Sequence, residues 1–231
     1  MPNPQQSKAA LLAGASGFVG GYLLAALLAT QDFSRVYAIT RRPLTREHPR
    51  LANRTLQFDE LAHLRGLTCE AAFCCLGTTM RAAGSEEAFR RVDLDYVLAF
   101  AHAAMAAQVQ RFIVVSAAGA DAQSRNLYLR TKGEAEQSLA LLGFQSLHIL
   151  QPGVLLGWRR EPRPFELIAR MLMPLAHPFL LGARAQYRAI PARTVAHAML
   201  GAARSGRRGL YRYTYSDIVT LAGKAGLAAT L

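Results

Sequence analysis

The chain alternates short apolar runs with longer stretches whose apolar positions recur at helical spacing. This pattern predicts strands at 9–13, 35–40, 55–58, 71–76, 111–116 and 145–151, and helices over 18–30, 86–108 and 127–142. The runs at 71–76 and 111–116 are apolar almost throughout, as strands buried on both faces require. Strand and helix in alternation predict an α/β fold with a parallel sheet and helices against its faces. Beyond Pro152 the regularity falls. There the pattern predicts an Arg- and Pro-rich loop at 158–164, a helix at 165–173, a strand at 187–190, a helix at 193–203, a strand at 210–213 and a short helix at 217–222. No linker rich in Pro, Gly or Ser divides the 231 residues, so they are read as one domain, with a core at 8–151 and a smaller lobe at 152–231.

Composition narrows the function classes. Hydrophobic residues make up 52% of the chain and charged residues 18%, which excludes an intrinsically disordered protein. The net charge of +12 permits attraction to nucleic acid, anionic membrane or phosphorylated ligands. The basic residues are nearly all Arg and are spread along the chain, with small clusters such as Arg41-Arg42, Arg159-Arg160 and Arg207-Arg208. With no zinc finger or RNP-like aromatic motif, nucleic-acid binding is not expected. The cysteines Cys69, Cys74 and Cys75 are odd in number and lack C-x-x-C spacing, against a disulfide framework or a structural zinc. Cys74 and Cys75 are expected on opposite faces of one strand, as reduced thiols of a cytoplasmic protein. Residues 1–7 are polar, so no signal peptide is expected; 18–29 is too short to span a bilayer, and 165–181 is interrupted by Glu166, Arg170, Pro174, His177 and Pro178. His63, His102, His177 and His197 show no metal-ligand spacing, and no metal is expected.

The first strand runs into Gly14-Ala15-Ser16-Gly17-Phe18-Val19-Gly20 and then into a helix. In such a turn one glycine allows a tight reversal, one lets the backbone approach a pyrophosphate, and one lets helix and strand pack closely. The helix start offers unpaired N–H groups and a positive dipole end to phosphates. The context, strand before and helix after, predicts a Rossmann-type doubly wound sheet that binds a dinucleotide, with a small C-terminal substrate lobe. A Walker loop is excluded, because no Gly-Lys-Ser/Thr follows. Where the second strand ends, a carboxylate would accept hydrogen bonds from the ribose of NAD; this chain has Thr40-Arg41-Arg42 instead. Arginine there suits a 2′-phosphate, so NADP(H) is the expected cofactor. Leu76-Gly77-Thr78-Thr79 closes the fourth strand and can pass along the cofactor, and Asp59 can reach the adenine edge.

Tyr128 and Lys132 open a predicted helix at i, i+4 and so share a face. A free tyrosine ionises near pH 10, so proton exchange near neutrality needs positive charge close by. The chain has only Lys8, Lys132 and Lys224 among its 27 basic residues, and a compact ammonium can reach both a ribose and a phenolate. The pair follows a strand ending at Ser116, where a third catalytic group is expected.

These residues resemble the short-chain dehydrogenase/reductase superfamily, and more narrowly its atypical, oxidoreductase-like group typified by the Tat-interacting protein of mammals. The resemblance rests on GASGFVG at 14–20, CCLGTTMRAAGSEEAFRRVDLDYVL at 74–98, VSAAGAD at 115–121, NLYLRTKGEAE at 126–136 and QPGVLLG at 151–157. It implies that Ser16 to Val19 contact phosphates, that Arg41 holds a 2′-phosphate, and that Leu76 and Gly77 line the cofactor. It also implies that Tyr128 and Lys132 are the active pair, with Leu155 and Arg163 near the nicotinamide or substrate end. Two positions depart from the family pattern. Position 194 is Thr where related chains carry Asp. At VVSAAG, many members have two serines and the second holds the substrate carbonyl; here Ser116 is followed by Ala117.

Other polar residues read as structural: His148 as a core histidine, Asp93 and Asp95 as helix residues that are solvated or structural, with Asp93 able to tie neighbouring loops. The 165–181 segment can serve as a lid, a homodimer surface or plain core. The sequence thus favours an NADP(H)-dependent oxidoreductase acting on a small carbonyl or hydroxyl substrate. A dinucleotide-sensing regulatory protein with little turnover is the alternative. Nucleotide-sugar epimerase or dehydratase chemistry ranks last, because roughly 80 residues after Gln151 are few for a sugar-nucleotide domain.

Overall fold

The structure, a computed structural model, describes residues 8–63, 66–157 and 182–226. Seven parallel strands form one sheet in the order β3-β2-β1-β4-β5-β6-β9. They are β1 (Ala9–Ala13), β2 (Arg35–Thr40), β3 (Leu51–Thr55), β4 (Ala71–Cys74), β5 (Arg111–Val115), β6 (Ser146–Leu150) and β9 (Gly209–Tyr213). β1 and β4 are buried at every position, which is why their sequences are apolar without alternation. Residues on one face of the central strands, such as Leu12 and Phe73, pack under α1 (Phe18–Ala29), α6 (Ala192–Arg204) and α7 (Tyr215–Lys224). Those on the other, such as Leu11 and Phe112, pack under α4 (Tyr96–Ala106) and α5 (Leu127–Leu141). Cys74 and Cys75 fall on opposite faces, as expected.

The doubly wound order reverses between β1 and β4, so the loops after these strands diverge and leave a crevice at their carboxyl ends. A two-stranded parallel sheet of β7 (Leu155–Leu156) and β8 (Ile190–Pro191) begins the C-terminal part.

Three local readings are corrected. The third strand is Leu51–Thr55, not 55–58. It is an edge strand of polar composition, half-buried or exposed along its length, so no hydrophobic pattern marks it. Phe58, which suggested the strand, is instead buried at the start of a 3-10 turn, Phe58–His63. The helical stretch expected at 86–108 is α3 (Glu86–Arg90), a π-helical turn (Arg91–Asp95) and α4 in succession, with α2 (Met80–Ala83) before them. The strand expected at 187–190 is reduced to β8, because Gly182–Tyr187 forms a 3-10 turn. The loop expected at 158–164 and the helix at 165–173 lie outside the described residues. Among the described residues no helix is long and apolar enough to cross a membrane.

Candidate functional site

The glycine turn is dictated by close approach. Gly14 has φ +83°, and a Cβ on it would lie 2.5 Å from the carbonyl oxygen of Cys75. A Cβ on Gly20 would lie 2.0 Å from the carbonyl oxygen of Gly14, so only glycine lets α1 pack against the turn. Gly17 caps α1 without a side chain, and the first turn holds no acidic residue, so the positive end of the helix faces no carboxylate of its own first turn. Ser16 is exposed, Phe18 is half-buried, and Val19 and Gly20 are buried. The Phe18 ring reaches Gly157, where a Cβ would come within 2.7 Å of it.

A cleft of about 680 Å³ opens above this turn. It gathers Gly14, Ser16, Gly17, Arg41, Arg42, Leu76 and Gly77 from the predicted set. Gln57, Phe58, Val92 and Tyr96, which sequence reasoning did not assign to the site, also line it. Phe18, Val19 and Gly20 support the turn without lining the cleft. Asp59 is exposed and accepts a 3.4 Å hydrogen bond from the Tyr96 hydroxyl. Leu155 is half-buried in β7, and Arg163 lies outside the described residues. The cleft's size and glycine cradle fit a dinucleotide.

Beside Gly77 sits a buried ion pair. The Lys132 ammonium lies 2.7 Å from Asp93 Oδ1, with side-chain exposures of 8% and 1%. Asp93 Oδ2 also accepts from the backbone N–H of Thr78 at 2.8 Å, tying the loop after β4 to α5 through one carboxylate. A Cβ on Gly77 would lie 3.4 Å from Asp93 Oδ1 and 3.6 Å from Lys132 Nζ, so the pair is directly behind the cleft wall. Burial alone would push the Lys132 ammonium down, but the Asp93 carboxylate, together with Tyr128 and Cys74, more than reverses this and holds it above the ordinary lysine range. The wide turn of the π-helical segment, a feature often found at functional sites, carries Asp93 into the interior.

Tyr128 lies one turn before Lys132, 37% exposed, with its ring 5.8 Å from that of Phe89. The Asn126 side chain caps this helix by accepting from Leu129 N–H at 3.2 Å. Ser116 is drawn elsewhere. Its hydroxyl donates to Glu136 Oε1 at 2.6 Å, and Glu136 also accepts from Gln151 Nε2 at 2.8 Å and from Arg212 Nε at 2.9 Å. Ser116 therefore helps hold a buried carboxylate, and it does not line the cleft.

Asp93, expected to be solvated or structural and able to tie neighbouring loops, does tie the loop after β4; its burial beside Lys132 was hidden because a helical pattern does not reveal a π-helical turn. Glu136 carried one signal, its i+4 spacing from Lys132. His148 is a core histidine, its Nδ1 sharing a 2.9 Å hydrogen bond with the Tyr213 hydroxyl. Burial, helped by the charges of Arg111 and Arg207, lowers its pKa to about 4. Among the described residues no group of His, Cys, Asp and Glu is placed to hold a metal.

Strand order, glycine turn and crevice together define a Rossmann-type dinucleotide-binding protein of the short-chain dehydrogenase/reductase kind. Residues 14–169 match the family described as NAD(P)H-binding, and the chain belongs to that family. Protein HTATIP2 of Rattus norvegicus is 40% identical over 200 residues, covering 84% of this chain and 81% of the relative. The mitochondrial protein fmp52 of Aspergillus clavatus is 32% identical over 228 residues, covering 92% and 97%. Among solved structures, the human epimerase family protein SDR39U1 with NADPH superposes with a TM-score of 0.61 at 18% identity, over 89% of this chain and 74% of that one. MoeE5 in complex with UDP-glucose and NAD gives 0.66 at 18% identity, over 94% and 81%. The expected cytoplasmic location is overturned: fungal relatives at 34–35% identity are named mitochondrial. Composition and reduced thiols do not distinguish the two compartments.

Proposed function

We propose that the chain is an NADP(H)-dependent oxidoreductase acting on a carbonyl or hydroxyl substrate, with Tyr128 and Lys132 as its acid/base pair. The observation that carries this reading is the burial of Lys132 directly behind Gly77 of the cleft wall, paired with Asp93. A buried ammonium is costly to desolvate, and a surface lysine would serve a purely structural helix better. The nicotinamide supplies or accepts hydride when bound. Tyr128, exposed at the start of α5, gives or takes the proton at the substrate oxygen. Lys132 binds ribose hydroxyls and keeps positive charge beside the phenol. Asp93 fixes where that charge sits. Gly14, Ser16, Gly17 and the N-terminal end of α1 take the pyrophosphate, supported by Phe18, Val19 and Gly20; Arg41 takes the 2′-phosphate with Arg42 beside it. Leu155 and Arg163 are assigned to the nicotinamide or substrate end.

The test combines binding and turnover. NADPH should quench and bind, and single-turnover oxidation against a carbonyl panel should occur in the wild type and fall by at least about 100-fold in Tyr128→Phe. Turnover that survives this substitution would overturn the assignment. One observation favours a second reading, a dinucleotide sensor with little turnover: Ser116 is committed to Glu136, and Ala117 has no hydroxyl. Tight NADPH binding with no turnover on any member of the panel would select the sensor.

A further inference from the structure

The two arginines at the end of β2 stand on a loop that one side chain closes. Asn53, on the edge strand β3, donates from Nδ2 to Thr40 Oγ1 at 2.7 Å and to the carbonyl of Ala38 at 3.0 Å. Its Oδ1 accepts from the backbone N–H of Leu44 at 2.8 Å. One carboxamide therefore grips the chain immediately before Arg41 and immediately after Pro43. The three residues between, Arg41, Arg42 and Pro43, all line the cleft. Thr40, which the carboxamide holds from below, is 3% exposed and lines it as well. Pro43 fixes its own φ and restricts Arg42 before it to extended backbone, so the bight has few conformations left. Among the described residues neither Arg41 nor Arg42 has a carboxylate partner, so both guanidinium groups are available to an anion.

We infer that Asn53 is a positioning residue that sets the preference of this cleft for a dinucleotide bearing a ribose phosphomonoester over one without it. The inference rests on the assignment of Arg41 to the 2′-phosphate. Asn53 does not line the cleft; it acts by holding the arginine loop in its binding shape before the ligand arrives. Affinity gained by preorganisation is lost when the loop must be ordered at each binding event. The effect falls on the phosphorylated ligand, because the unphosphorylated one makes no use of the guanidinium groups. A long polar loop between two parallel strands is otherwise a place where backbone freedom is largest. An edge strand of polar composition is also a natural place to find a side chain serving the neighbouring loop instead of a core.

The test measures dissociation constants for NADPH and NADH by fluorescence, using the full chain and four variants: Asn53→Ala, Thr40→Val, Arg41→Ala, and Asn53→Ala with Arg41→Ala. Asn53→Ala should weaken NADPH about 10-fold and NADH less than about 2-fold. Thr40→Val removes one anchor and keeps the Leu44 contact, so it should shift the same ratio in the same direction by about 3-fold, and it serves if Asn53→Ala does not fold. In the Arg41→Ala background the Asn53 substitution should cost NADPH clearly less than it does in the wild type, leaving only the share carried by Arg42, the sign of residues acting as one unit. Equal weakening of both nucleotides, an unchanged NADPH affinity, or full additivity with Arg41→Ala would overturn the inference. An Arg41→Ala variant that keeps the NADPH to NADH ratio would instead overturn the 2′-phosphate assignment on which it rests.

Discussion

The two ends of the candidate site are built by different means. The end assigned to phosphate is made of backbone: a positive φ at Gly14, a helix approach at Gly20 that no Cβ survives, and a helix start capped by Gly17 without a side chain. The end assigned to acid/base chemistry, whose residues do not line the cleft, is made of side chains drawn from distant parts of the chain: Asp93 from a π-helical turn, Lys132 and Tyr128 from α5, with Glu136 engaging Ser116. Steric necessity governs the first and electrostatic balance the second. The first tolerates no substitution of its key positions. The second can be altered in graded steps.

The largest effect expected is at the phosphate end. Gly20→Val puts branched carbons onto the Gly14 carbonyl, where even a Cβ would lie at 2.0 Å, and should abolish both cooperative urea unfolding and NADPH quenching. A variant that still binds NADPH would erase the contrast between the two ends. Next comes Asp93→Ala, which leaves the Lys132 ammonium buried without its carboxylate and should cost about 3–5 kcal/mol by chemical denaturation. Lys132→Met combined with Asp93→Leu should regain most of that stability while giving no turnover; a double variant as unstable as the single one would mean the loss is not electrostatic.

A smaller effect belongs to alkaline pH. The folded-state ammonium of Lys132 is held above its unfolded value, so its contribution is complete below the ordinary lysine range and disappears as pH rises through the folded value. Burial raises the thiols of Cys69 to about 11 and Cys74 to about 12, and they act in the same direction from about pH 9 upward. Urea unfolding from pH 8 to 11 should therefore show falling stability, with a shallower fall in Lys132→Met; identical slopes would remove Lys132 from this account. The smallest effect expected is on stability in Tyr128→Phe, within about 0.5 kcal/mol, because the hydroxyl sits on a side chain 37% exposed. A larger loss would make Tyr128 a structural residue.

Legibility in the sequence follows the same division. The strands β1, β4 and β5 could be read because burial on both faces leaves near-continuous apolar runs, β2 and β6 because apolar residues still dominate them, and the glycine turn because its spacing has a steric cause. The edge strand β3 could not, since Leu-Ala-Asn-Arg-Thr has no hydrophobic face to read. Asp93 was legible as a residue able to tie loops but not as the buried partner of Lys132: helical periodicity assumes 3.6 residues per turn, and the π-helical turn at Arg91–Asp95 breaks it. Ser116 was placed correctly at the end of its strand, yet its hydroxyl partner, Glu136, lies 20 residues further on and depends on how α5 packs. The role of Asn53 was likewise invisible, since it joins residues on two strands and a loop.

The contact of Gly14 with the Cys75 carbonyl has a kinetic consequence. The glycine turn takes its shape only when β4 has threaded between β1 and β5, and that insertion joins segments about 60 residues apart in sequence. Non-local pairings of this kind form late and slowly. The dinucleotide therefore has nothing to recognise until the centre of the sheet is closed. It should slow unfolding of the finished protein without hastening its folding, so that ligand added to a refolding chain shifts the unfolding limb of the chevron alone.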